Sequence, residues 1–297
     1  VYFATAGIEV QPWIPPLVAF VISVFTSMGG VAGAVLLLPF QVSVLGFVSP
    51  SVTATNILYN LVAIPGGVYR FVRDGRLLWP LAWAIAAATL PGVFLGAWVR
   101  VNVLVDPRAF KLFAALVLLY VGVRMLQALL ADRQSPRPEL AAGADSRLES
   151  VRFDRAHIAF AFKGQVFRIR IAALAGLGFA VGLVGGAYGI GGGGIIAPML
   201  VGLYRLPAQA IAGAALWGTF VTSLGAVLFY HALAPFHPEL AVSPDWALGL
   251  LFGLGGAAGV YVGARLQRVA PSALIKGVLA VCLLVPALYY VREFLNG

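Results

Sequence analysis

The sequence predicts an all-α polytopic membrane protein made of two homologous halves, and three observations carry that expectation. Of its 297 residues 61% are hydrophobic and 10% charged, with a mean hydropathy of +0.95, well outside the range of soluble domains. The apolar residues gather into eight segments, in two sets of four. The first segment of each set is interrupted near its middle by clustered glycines.

Residues 1–16 are too short and too proline-rich to span, so they are expected to form an N-terminal interfacial segment. The chain opens on Val1, and an earlier start or a removed signal segment stays open. The first repeat, 17–130, holds apolar segments at 17–47, 52–72, 77–99 and 107–130. The second, 171–297, holds them at 171–204, 207–233, 246–264 and 271–291. A single crossing takes about 20 residues, so the first and fifth segments are too long for one crossing and too short for two. At a constant offset of 159, Gly30 falls on Gly189, Gly33 on Gly192, Pro39 on Pro198 and Gly66 on Gly225. After small gaps Gly92 and Gly96 match Gly259 and Gly263. Glycines and prolines matching in one register argue duplication.

Charge decides between two topologies. If segments one and five enter and leave by the same face, fifteen Lys and Arg lie on one side and four on the other; if all eight cross, the split is twelve to seven. The sharper separation favours re-entrant or discontinuous first segments and hence inverted repeats, with the eight-crossing arrangement as the alternative. Both put the polar linker, 131–170, in the cytoplasm. Within it His157 to Ile171 alternates in period two around Lys163-Gly164, the pattern of a small β-hairpin. The formal charge of +9 comes from these loops, and no nucleic-acid module is visible, so no nucleic-acid partner is expected. The one cysteine, Cys282, gives neither a disulfide framework nor a metal cluster.

The densest glycine run is LVGGAYGIGGGGIIAPML, residues 183–200, with seven glycines and no charge. Each glycine inside a helix costs about 1 kcal/mol against alanine. The run therefore reads as two half-helices meeting in the membrane interior, where broken backbone survives only in protein or around a cavity. Residues 189–194 formally satisfy G-x-G-x-x-G, but no acidic residue follows about 20 positions on, and the Lys of a phosphate loop is missing. What the glycines offer instead is bare N–H groups at a half-helix N-terminus, a setting that favours an anion. The competing reading is close helix packing. Gly178/Gly182/Gly186, Gly255/Gly259/Gly263 and Gly92/Gly96 fit packing, while Gly191, Gly192, Gly193 and Gly194, with Gly29 and Gly30 in the first half, are assigned to the site.

Few polar residues lie inside the segments: Ser27, Gln41, Thr53, Thr55, Asn56, Tyr59, Asn60, Tyr188, Thr219, Thr222 and Ser223. Asn60 and Thr219 are equivalent at the repeat offset, which points to two symmetry-related walls of one pocket. Of this group Asn56, Asn60, Tyr188, Thr219 and Ser223 are the expected substrate contacts; helix-bridging by Asn and carbonyl bonding by Ser and Thr are the alternatives. No Asp or Glu lies deep in a segment, which leaves facilitated anion flow or protons carried by the substrate. His231 and His237 sit near the end of the sixth segment, and neither a catalytic residue set nor a metal or cofactor is expected.

The G-G-x-x-G-x-G-G-G motif followed by Pro at 185–198, its degenerate copy at 29–39 and the two halves of four segments resemble the TauE/SafE sulfite exporter family. The resemblance spans nearly the whole chain and implies a permease in the cytoplasmic (inner) membrane moving sulfite, an organosulfonate or a related sulfur anion. The expected function is thus a secondary transporter working by alternating access. An anion channel is the nearest alternative, and a membrane-embedded enzyme a more distant one. The expected partners are the anion and the lipid bilayer, with a homo-oligomer left open.

Overall fold

The computed structural model describes residues 1–29, 31–134, 150–154, 156–162, 165–204, 206, 208–266 and 272–296. The chain begins with a two-strand hairpin, β1 (Tyr2–Phe3) and β2 (Ile8–Glu9), which tucks Phe3 and Ile8 into the core. Each of the eight apolar segments is helical. The first is divided into α1 (Ile14–Gly29) and α2 (Gly33–Ser43). The second is divided as well, into α3 (Ser51–Ala63) and α4 (Pro65–Arg73). Pro65 causes that division, because it has no N–H to donate and its ring crowds the preceding turn. Long helices α5 (Trp79–Asn102) and α6 (Pro107–Gln134) complete the first half.

The second half holds α7 (Ile171–Tyr188), α8 (Gly193–Tyr204), α9 (Ala208–Leu233), α10 (Trp246–Leu266) and α11 (Ser272–Asn296), with α9 continuous where the first half has α3 and α4. Among the described residues six helices are long and apolar enough to cross a membrane, whereas α1 and α2 are shorter. The breaks in the first and fifth segments thus fall at their glycine clusters, whereas the break in the second segment, expected to be unbroken, comes from Pro65.

Between the halves stands a three-stranded antiparallel sheet, β3 (Ser150–Phe153), β4 (His157–Phe162) and β5 (Gln165–Arg170). The β4–β5 pair runs in register from His157 opposite Arg170 to Phe162 opposite Gln165. This is the expected hairpin, although its Lys163-Gly164 tip lies outside the described residues. Strand β3 is an addition that the alternation pattern did not signal. Ile158, Phe160, Phe162 and Ile169 are buried and join the main core, so the sheet is packed against the helices rather than tethered beside them.

The halves interlock. Helix α5 lies along α7, and its counterpart α10 lies along α1; α6 pairs with α11, α5 with α9, α10 with α3, and α3 meets α9. Glycine makes the two long seams possible. A Cβ added to Gly92 or Gly96 would fall on the carbonyl oxygen of Phe179 or Leu183 of α7, and one on Gly255 or Gly259 would fall on that of Pro16 or Phe20 of α1. Bare backbones can therefore approach to a distance that any side chain would prevent. The packing role expected for these glycines holds.

Several bonds tie one end of the bundle. Asp245 Oδ2 accepts from the Ala6 N–H at 3.2 Å, and its Oδ1 accepts from Leu248 N–H at 3.0 Å, capping α10. The Asp245 N–H donates to Thr55 Oγ1, and Ser51 Oγ donates to Ser243 O at 2.6 Å. Lys111 Nζ pairs with Glu293 at 2.5 Å, joining the start of α6 to the end of α11.

Candidate functional site

Helix α7 stops at Tyr188 because Gly189 takes a left-handed φ of 102° and Gly191 one of 71°, conformations that other residues rarely adopt. The N–H groups of Gly189 and Ile190 both return to Gly185 O, at 2.9 and 3.0 Å, and close the helix. Gly192 N–H donates to Thr222 Oγ1 at 3.0 Å. Helix α8 then starts at Gly193, and its first N–H groups have no carbonyl partner inside the helix.

Two walls enclose this break. From α3, Asn56 Nδ2 donates to Gly189 O at 3.0 Å and to Ala34 O at 2.9 Å, while its Oδ1 accepts from Gln41 Nε2 at 3.0 Å. Asn60 Nδ2 donates to Ile190 O at 3.2 Å. From α9, Thr219 Oγ1 bonds its own helix at Ala215 O, and Ser223 Oγ points at Gly191, where an added Cβ would lie 2.8 Å from it. Ser223 Oγ and Gln41 Oε1 are buried and have no hydrogen-bond partner. Burying such a hydroxyl or amide oxygen without any partner costs about 1–3 kcal/mol, so both are candidates to meet a polar ligand beside the break.

The first break comes to the same place. A Cβ on Gly194 would sit 3.5 Å from Ala32 Cβ, Tyr188 donates its hydroxyl to Val35 O at 2.7 Å, and Asn56 ties Ala34 to Gly189. The N-terminal ends of α2 and α8 thus converge, and the positive ends of two helix dipoles face one spot.

Of the residues predicted from sequence, Gly191, Gly192, Gly193, Gly194, Asn56, Asn60, Tyr188, Thr219 and Ser223 surround this junction. Gly29 is the last residue of α1, and Gly30 lies outside the described residues. The glycines also have a packing duty. A Cβ would fall on Thr89 at Gly192 and on Ala215 O and Thr219 Oγ1 at Gly193, whereas Gly194 meets nothing closer than 3.5 Å. Among Gly191, Gly192, Gly193 and Gly194, Gly194 alone has room to spare.

Four contributors were not predicted as site residues. Gln41 and Thr222 bond Asn56 and Gly192, and Thr53 Oγ1 reaches Ala187 O at 3.4 Å. The fourth is Arg100, placed by sequence in a loop but found fully buried in the last turn of α5. Its Nε donates to Thr53 Oγ1 at 3.2 Å and its guanidinium also bonds Val48 O and Leu104 O. The guanidinium carbon stands 3.8 Å from the Phe110 ring centroid. Nothing around Arg100 in the sequence marks that burial, which depends on Val48 and Thr53, some fifty residues earlier in the chain, folding over it.

Helices of this length and polarity, with facing discontinuous segments at their centre, define a multi-pass membrane protein of transporter type. The model of the sulfite exporter TauE/SafE family matches residues 16–290, and the chain belongs to that family. Membership implies a membrane transporter of sulfur anions rather than an enzyme. No curated protein and no solved structure matches the chain.

Proposed function

We propose that the protein is a secondary transporter that carries a small sulfur-containing anion, sulfite or an organosulfonate, across the cytoplasmic membrane by alternating access. The observation that carries this reading is the convergence of the α2 and α8 N-termini on one spot, beside the unpartnered Ser223 Oγ. N–H groups of α8's first turn, Asn60, Tyr188 and Thr219 complete the anion's surroundings, while Asn56 holds the two breaks in place. Gly189, Ile190, Gly191, Gly192 and Gly193 are all buried, which favours a carrier in a closed state over an open pore.

Repeats 17–130 and 171–297 act as inverted halves joined by the linker 131–170. Support comes from the neighbours of each segment's ends. Ala6, just ahead of α1, bonds Asp245, and Ser51, after α2, bonds Ser243 of the same loop, which supports α1 and α2 departing from and returning to one end of the bundle. Residues at the start of α9 lie by α4, with Gly213 against Phe71, and α7 begins from β5; this supports the opposite end for α7 and α8. That arrangement puts the basic linker in the cytoplasm.

Flux in proteoliposomes tests the reading, with sulfite, thiosulfate, sulfoacetate and taurine against sulfate, chloride and acetate, with and without a pH gradient. Saturable, counterflowing uptake of one sulfur anion is expected. Non-saturating flux would favour a channel, and absence of sulfur-anion flux from folded protein would end the proposal.

A further inference from the structure

Arg100 is a charge for which the transport reading has so far no task. Arginine is almost never fully buried unless it is paired, yet Arg100 is 0% exposed. Among the described residues no carboxylate lies within ion-pairing distance of it. Its partners are neutral: Thr53 Oγ1, the carbonyls of Val48 and Leu104, and the Phe110 ring. They accept hydrogen bonds without cancelling charge. They also engage three of the five guanidinium N–H groups, so two remain.

The second break is one residue away. Thr53, which accepts from Nε, reaches Ala187 O with its own hydroxyl, and its carbonyl oxygen would lie 2.9 Å from a Cβ on Gly189. An uncompensated cation in low-dielectric surroundings is costly, and ionisable groups within membrane segments commonly serve the transported ion. Among the described residues Arg100 is the one fully buried basic side chain, whereas Arg265 near the end of α10 is exposed. In the register that pairs Gly92 with Gly259 and Gly96 with Gly263, the residue opposite Arg100 is Gln267, which lies outside the described residues.

We propose that the Arg100 guanidinium is the fixed positive charge that recruits the anion to the second helix break, from one end of the molecule only. This rests on the transporter reading above. The charge acts through space on an anion bound at the break, with Thr53 as the link, since its hydroxyl accepts from Arg100 Nε and reaches Ala187 O at the end of α7. An anion with two charges gains more from it than one with a single charge, because the Coulomb energy scales with the product of the charges.

The test compares wild type, Arg100→Lys and Arg100→Gln in proteoliposomes, with thiosulfate as the dianion and isethionate as the monoanion, after thermal unfolding in detergent. The expected result is that Arg100→Gln raises KM by about tenfold for thiosulfate and by clearly less for isethionate, with the maximal rate changed less than KM. Arg100→Lys should restore most of the thiosulfate affinity. An equal loss for both anions, wild-type KM in folded Arg100→Gln, or failure of both variants to fold would each overturn the proposal and leave Arg100 as a structural tie. No flux of either anion in the wild type would instead count against the transporter reading itself.

Discussion

At the scale of single residues, the site rests on a contrast between glycines that are filled in by neighbours and one that is not. A methyl group at Gly193 collides with Ala215 O and Thr219 Oγ1, while one at Gly194 finds ordinary van der Waals space. Gly193→Ala should therefore lose about 1–3 kcal/mol or more of stability through overpacking, seen as a lower Tm in detergent. Gly194→Ala should unfold like the wild type. A Gly193→Ala protein as stable as wild type would mean that the break tolerates movement the geometry does not allow. Ser223→Ala removes a buried hydroxyl that has no partner among the described protein groups, so stability should hold or rise. If that hydroxyl binds the anion, flux should fall about tenfold or more at subsaturating substrate, the worth of a hydrogen bond to a charged group. Unchanged KM would remove Ser223 from the site. The sequence already pointed to Ser223, because a polar residue on an apolar helix stands out. Arg100 gave no such signal, lying where a helix was expected to end; its burial depends on Val48, Leu104 and Phe110 closing over it.

At the scale of elements, equivalent seams should respond equally. Gly92 of α5 and Gly259 of α10 each face a carbonyl of the other half, Phe179 O and Phe20 O. Gly92→Ala and Gly259→Ala should each lower Tm by a similar amount, on the order of 1–3 kcal/mol of overpacking. If one were silent, the two seams would not be equivalent. Small-xxx-small spacing and period-two alternation are local signals, which is why the packing role of these glycines and the β4–β5 pair were legible in short stretches, while the division before Pro65 was not expected and is explained by that proline. Strand β3 could not. Ser150–Phe153 is four residues long, and it becomes a strand only by lying next to β4, a partner that its own composition does not specify. The same holds for Gly191, Gly192 and Gly193, whose packing duty appears only once α5 and α9 are set against the break.

At the scale of the whole molecule, the inverted arrangement makes a prediction about sides. In a Cys282→Ser background, Ala4→Cys near the N-terminal hairpin and Ala156→Cys before β4 both offer exposed positions. An impermeant thiol reagent applied to intact cells should label the first and spare the second until the membrane is opened. Labelling of Ala156→Cys from outside would reverse the orientation, and equal labelling of both would defeat the inverted arrangement. The apolar segments were legible because bilayer thickness imposes a length on every element. The mutual grip of the halves was not, since sequence symmetry says which parts correspond and not which parts touch.

That mutual grip bears on how the chain is made. Helix α1 is synthesised about two hundred residues before α10, the helix whose glycines receive it. At about 5–20 residues per second, translation leaves its partner-seeking face unmatched for some ten to forty seconds. Throughout that interval the newborn first half has lipid, or an insertion factor, as its provisional companion. Each half is thus the scaffold on which the other is completed, and neither is a finished object when it leaves the ribosome.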